Sequence, residues 1–178
     1  MFGPKGMVTG VLNKDVEDNT GGFEKVWAAM GGDGNPALAT IEGTLGVELG
    51  GGRPVDKLRY DRKSALVCAL WISRALLFVA RFGSRLIQTP GASPAAVAKE
   101  VYLEVLRPYH GFFVANIVSL AFSLAPSRVD FFARIGGCTE EEAAAAGELQ
   151  AFVQHVLPCV EALHAWFVQK GYNFPDVA

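Results

Sequence analysis

The sequence predicts an all-α fold, and three features carry the prediction. No segment alternates apolar and polar residues long enough for a half-buried strand, and no Asn-Gly or Asp-Gly turn lies between candidate strands. Asn35-Pro36 and Ser93-Pro94 each pair a capping side chain with a proline at the first helical position, a signal of helix starts. Between such signals run long apolar segments broken only by Gly and Pro clusters.

In chain order, Val8 to about Met30 carries Val11, Leu12, Val16, Phe23, Val26 and Trp27 at roughly helical spacing and predicts a first helix. Gly21-Gly22 interrupts it. Glycine costs about 1 kcal/mol in a helix interior, so either the helix bends there or another backbone must come close. A second helix is expected from Pro36 to about Leu49, a long third from about Asp61 to Gln88, and a fourth from Pro94 to about Leu106. Pro108 then breaks the chain. From Gly111 to Ala125 the only polar side chains are Asn116, Ser119 and Ser123, which predicts a helix buried on nearly every side. Ser127 caps a short helix reaching Ile135, and Thr139 with Glu142 forms a capping box for the next. Pro158 breaks or kinks that last helical stretch, which ends near Gly171, and the partly apolar tail is expected to pack back on the body. One domain over 1–178 is expected, with its most apolar helices in the middle and others packed on both sides.

Composition narrows the function classes. The 16 basic and 18 acidic side chains give a net charge of -2, so no basic field exists to recruit nucleic acid. Cys68, Cys138 and Cys159 are an odd, scattered set that suggests neither a disulfide framework nor a zinc site. No metal or cofactor is expected. The apolar stretch Ala65–Phe82 carries Arg74 in its middle, which costs roughly 2.5 to 3.5 kcal/mol on insertion, and Phe112–Ala125 is shorter than the ~20 residues a bilayer needs. With no secretory signal at the N-terminus, the expectation is a soluble, cytoplasmic protein.

Few residues carry chemistry. There is no phosphate loop, no G-x-S-x-G, no H-E-x-x-H and no C-x-x-C. His155 and Cys159 lie four apart but flank Pro158, so that pair is read as incidental. His110 stands at the edge of the apolar helix, where its imidazole can donate from one nitrogen and accept on the other; the plain alternative is a core histidine bonded to a backbone carbonyl. Asp15 and Asn19 lie one turn apart on the first helix, a carboxylate and a carboxamide suited to vicinal hydroxyls, or simply a solvated face with Glu17 and Asp18. Trp71, among Val67, Cys68, Leu70 and Ile72, is either core or a platform for the apolar face of a sugar ring. Arg74 either pairs with Asp15 or Asp18 or reaches solvent past the apolar surface.

Four separated motifs resemble the glycolipid transfer protein family, in the family's order and over nearly the whole chain. They are Asp15-Val-Glu-Asp-Asn19, Leu70-Trp71-Ile-Ser-Arg74, Arg107-Pro-Tyr-His110-Gly-Phe-Phe with Ala125-Pro126-Ser-Arg-Val-Asp130-Phe-Phe, and Leu163-His-Ala-Trp166-Phe-Val. The resemblance implies a two-layer helical sandwich that carries one sphingolipid between membranes without chemistry, its headgroup on a surface patch and its chains in an apolar sleeve. It implies that Asp15 and Asn19 bond the sugar, that Asp15 also takes the amide N–H, that Trp71 stacks beneath the first ring and that His110 donates to the amide carbonyl. Leu12, Val67, Phe78, Leu106 and Val118 fall at sleeve positions. The family's glycolipid binders carry a lysine seven residues after the aspartate. Here that position is Gly22, Lys25 lies one turn on as its substitute, and Gly22→Lys is expected to raise glycolipid affinity. Only fourteen residues precede Asp15, so the helix that opens the fold is expected to be short or truncated. Phosphate binders of the family place arginines where this chain has Trp71 and Val67, which implies an uncharged sugar headgroup, with ceramide-1-phosphate transfer, or lipid sensing and partner binding, as alternatives. Contact with membranes is expected to be transient, through exposed aromatics.

Overall fold

The computed structural model describes residues 4–135 and 142–175, with side chains from residue 14. Every regular element among the described residues is helical: α1 Pro4–Ala29, α2 Ile41–Gly50, α3 Val55–Leu58, α4 Ala65–Gln88, α5 Pro94–Val105, α6 Phe112–Ser123, α7 Arg128–Ile135 and α8 Glu142–Gln169. The chain divides into two compact units. Of the described residues, the first takes 10–73 and 167–174, and the second takes 4–9, 74–135, 142–166 and 175.

In the first unit, α1 runs through Gly21-Gly22 without a break. A Cβ on Gly21 would meet open space, but one on Gly22 would lie 2.7 Å from Cys68 Sγ, so close packing against the start of α4 explains the second glycine. The helix expected from Pro36 is divided by two competing caps. Asn35 Oδ1 accepts from Ala37 N to start a single turn, and Thr40 Oγ1 accepts from Gly43 N at 3.0 Å to start α2. The long helix opens at Ala65 rather than Asp61, because Asp61 Oδ1 accepts from Lys63 N and holds residues 61–64 in a turn. The first donors of α4 are then met from outside the helix: Glu48 accepts from Ala65 N and Leu66 N, both at 2.9 Å, and Ser64 Oγ accepts from Val67 N. The described part of the tail packs as expected. Phe174 is buried, and the Arg59 guanidinium lies 5.3 Å from its ring centre.

The second unit is built on a cluster of Leu77, Leu86, Val97, Val101, Val105, Phe132, Ala145 and Val160. Arg128 ties three elements to it. Its Nη1 donates to Leu86 O, Thr89 O and Ala92 O, and its Nε donates to Glu142 at 2.7 Å, so carbonyls at and just beyond the end of α4 find a cation. Ser127 caps α7 as expected, accepting from Asp130 N. Thr139 of the expected capping box lies outside the described residues. Pro158 does not break α8, which continues on both sides of it.

The expectation for α6 is corrected. Only Val118 is buried on this helix, while Phe112 is 82% exposed, Phe113 76% and Leu120 49%. Apolar composition does not force burial, because a helix needs only one packed face, and a wholly apolar helix leaves its other face bare. By length and composition α4 and α8 are each long and apolar enough to cross a membrane. In α4, however, Arg74 is 1% exposed and folded into the protein rather than left on a lipid-facing side.

Candidate functional site

The first unit contains an open pocket of about 760 Å³. One wall is a single face of α1, where Asp15, Asn19, Gly22 and Lys25 follow at helical spacing; Arg62 and Lys63, from the turn before α4, form another part. Sequence reasoning missed this second pair by placing it inside the long helix. The turn that Asp61 closes, braced by the 2.8 Å ion pair to Arg53, carries both residues at the pocket. Partial desolvation raises the Asp15 carboxyl above its usual range, with the nearby Arg62 charge opposing the rise. Asn19 Nδ2 donates to Asp15 O at 2.8 Å, which fixes its carboxamide along the helix. Asp18 pairs with Lys14 at 2.9 Å on a strongly exposed surface, as the solvated-face reading has it for that residue. Asp15, Glu17 and Asp18 face Lys25, Arg62 and Lys63 around the pocket, so its charges balance.

A side chain at position 22 must displace Cys68 Sγ, which lies 2.7 Å from the position of a Cβ, and this opposes the gain expected of Gly22→Lys. Trp71 is half-buried on α4 and does not line this pocket. Of the expected sleeve residues, Val67 and Val118 are buried, Phe78 and Leu106 pack on the second unit's cluster, and Leu12 lies outside the described side chains.

His110 belongs to the second unit. It ends the turn Arg107–Tyr109, and Arg107 Nη1 donates to its carbonyl oxygen at 3.0 Å. Its ring Nδ1 lies 3.1 Å from the Tyr102 hydroxyl, so a side chain meets the imidazole on that edge. Burial first, then the charges of Arg74 and Arg107, push its pKa down to about 4. Of the two alternatives for Arg74, the one in which it reaches solvent falls, since the residue is 1% exposed; its guanidinium carbon lies 3.5 Å from the centre of the Tyr109 ring. Tyr102, two turns ahead on α5, is the residue that sequence reading passed over. α5 ends at Val105 and the turn Arg107–Tyr109 lies between it and His110, so no helical spacing advertises the pair. The Cys159 thiol donates to the His155 carbonyl, and the His155 ring Nδ1 lies 2.7 Å from Ala151 O.

Comparison with solved structures first defines a fold class. The chain is similar to a structure described as showing how FAPP2 selects simple glycosphingolipids using the GLTP-fold, with a TM-score of 0.76, 24% identity and coverage of 99% of this chain and 81% of that one. It is also similar to human ceramide-1-phosphate transfer protein in complex with 12:0 ceramide-1-phosphate, at TM-score 0.73 and 22% identity over 96% of this chain and 81% of the other. At such identities these likenesses establish the fold alone. It is the GLTP fold, all-helical.

The family follows from sequence. The model for the family "Glycolipid transfer protein (GLTP)" matches residues 1–137, and the chain belongs to that family, whose members are lipid-transfer proteins. Glycolipid transfer protein 3 of Arabidopsis thaliana is 22% identical over 160 residues, covering 90% of this chain and 65% of that protein. The glycolipid transfer protein of Aureobasidium melanogenum is 25% identical over 115 residues, 65% of this chain and 56% of the relative. The chain therefore spans less than two thirds of the length of both.

Proposed function

We propose that this protein moves a sphingolipid with a neutral sugar headgroup between membranes by non-covalent binding. Asp15 and Asn19 bond the sugar hydroxyls, Asp15 also accepts from the amide N–H, Trp71 stacks beneath the first ring and His110 donates to the amide carbonyl. The cation that the family places at position 22 comes instead from Lys25 and Arg62. The hydrocarbon chains occupy a sleeve lined by Leu12, Val67, Phe78, Leu106 and Val118, and the exposed Phe112 and Phe113 dock transiently on the membrane. A cytoplasmic setting suits such a carrier, and no cofactor is needed. Each methylene kept from water is worth roughly 0.8 kcal/mol, so a lipid with ~30 of them crosses water only inside a dry sleeve.

The single observation behind this reading is the charge-balanced pocket that holds Asp15 and Asn19 beside Lys25 and Arg62. A polyhydroxyl group uses donors and acceptors of both kinds there, whereas a phosphate would meet three carboxylates as well as three cations. Those cations are also what favours the second reading, transfer of ceramide-1-phosphate. Vesicle assays with fluorescent glucosylceramide and fluorescent ceramide-1-phosphate separate the two. Faster glucosylceramide movement supports the first reading, and acceleration of ceramide-1-phosphate alone replaces it with the second.

A further inference from the structure

We propose that Tyr102 and Arg74 are positioning residues for His110. The Tyr102 hydroxyl donates to Nδ1 and so leaves the imidazole's single proton on Nε2, while Arg74, laid flat on Tyr109, fixes the turn that carries the ring. This rests on the reading that His110 donates to the ligand's amide carbonyl, and it states which nitrogen does so and what holds it ready.

Three observations converge on the arrangement. Tyr102 is buried on α5, with its ring 5.5 Å from Phe122 and 5.5 Å from His110, so its hydroxyl is held at the 3.1 Å contact by packing on both sides. A phenol is a better donor than acceptor and a neutral imidazole nitrogen a better acceptor than a phenol oxygen, so the bond runs from Tyr102 to Nδ1. The bond made by one ring nitrogen decides which nitrogen is protonated. Second, the turn is held from two directions: Arg74 covers the Tyr109 ring at 3.5 Å, and Arg107 donates to the carbonyl of His110 itself. Third, the charges of Arg74 from α4 and Arg107 from the turn act on the imidazole, beside the phenols of Tyr102 and Tyr109. A second proton would sit in a half-buried site against the charges of two guanidinium groups. The ring is therefore kept neutral, with one donor directed at an acceptor, which fits a carbonyl and gives a phosphate no added cation.

Long-range proton–nitrogen NMR of the ¹⁵N-labelled full chain reads the tautomer directly. Wild type is expected to show the Nε2–H form from pH 5 to 8. Tyr102→Phe keeps the ring packing but is expected to populate the Nδ1–H form and to slow glucosylceramide transfer at least threefold, with helicity unchanged. Arg74→Gln is expected to raise the His110 titration midpoint by a pH unit or more, and Arg74→Lys to hold it; if either buried-site variant fails to fold, the Tyr102→Phe tautomer decides. An Nδ1–H tautomer in wild type, or an unchanged tautomer in Tyr102→Phe, overturns the proposal. Wild type that shows the expected tautomer but moves no lipid leaves the positioning intact and removes the functional reading instead.

Discussion

In the unit built on residues 10–73, Asp15 opens onto a pocket wide enough for water and shares it with Arg62, Lys25 and Lys63. In the unit built on residues 74–166, His110 rests against a buried tyrosine with two guanidinium groups near it. Both carry polar groups to which the proposed function gives a role, and burial acts on them with opposite consequences for that role. Desolvation makes the acid's charge harder to hold, and Arg62 offsets part of that cost. For the imidazole the same effect abolishes the charge and leaves a neutral donor. A carboxylate is useful to a sugar only if it stays ionised, so its site must remain wet and cation-lined; an imidazole that donates to a carbonyl works best dry.

The hardest test of this contrast is to remove the acid. Asp15→Val is expected to lower glycolipid transfer about a hundredfold while circular dichroism stays helical; an unfolded variant would instead make Asp15 a structural residue. Asp15→Asn separates charge from shape. Because the folded carboxyl titrates above its ordinary range, the stability linked to it is present at low pH and lost as pH rises through the folded value. At pH 7 the ionised group therefore costs stability. Asp15→Asn should keep or slightly raise the melting temperature while transfer falls tenfold or more, and a clear drop in melting temperature would refute the sign. A smaller effect is expected at the exposed aromatics. Phe112→Ala with Phe113→Ala should cut vesicle-to-vesicle transfer about fivefold to tenfold and leave binding of detergent-dispersed lipid unchanged, since their side chains lie in solvent. Equal loss in both assays would place them in the binding site.

The helical class and most element boundaries were legible from periodicity and caps, because Ser93-Pro94, Ser127 and the Gly-rich breaks act locally. Asp15 and Asn19 were legible as one face for the same reason, since helix geometry alone puts them together, and Lys25 entered through the family resemblance as the residue one turn past Gly22. Features made by distant segments were not. Arg62 and Lys63 depend on a turn closed by Arg53 and Asp61, and Tyr102 meets His110 only because the chain turns at Pro108. The reading of α6 failed in the other direction, since an apolar sequence states what a helix tolerates and not how many neighbours it has. Nor could spacing choose between a bend and a close contact at Gly21-Gly22, because both use the same residue.

The histidine half of the contrast can be read as a pH dependence of stability. His110 has its folded value depressed to about 4 from the usual 6.5, so its contribution is present above about 6.5 and lost as pH falls toward 4. The full shift would be worth about 3 kcal/mol, and partial exposure of the ring reduces the expectation to about 1–2 kcal/mol. Urea unfolding at pH 7 and pH 4.5 should show that loss in wild type and less of it in His110→Gln. His164 is depressed as well, by burial and then by Arg74 and Arg81, so the variant isolates one histidine's share. An identical pH dependence in the variant would mean that His110 is solvated like an ordinary surface histidine.

The smallest expected effect is also the most local. Gly21 and Gly22 are neighbours in one helix with the same intrinsic cost, and only one has a neighbour within reach of a Cβ. Gly21→Ala should stabilise the protein by about 0.5–1 kcal/mol, since alanine restricts the unfolded chain and meets open space. Gly22→Ala gains the same helix propensity but must displace Cys68 Sγ, which is buried and short, and a net loss of about 1 kcal/mol is expected. Cys68→Ala removes the obstructing sulfur, so adding it to Gly22→Ala should make the two changes strongly non-additive, with a coupling of about 1 kcal/mol or more. Additive effects, or Gly22→Ala behaving like Gly21→Ala, would mean that α1 is not held against α4 at this point. The pocket wall carrying Asp15 and Asn19 would then lack the footing that sets its distance from Arg62.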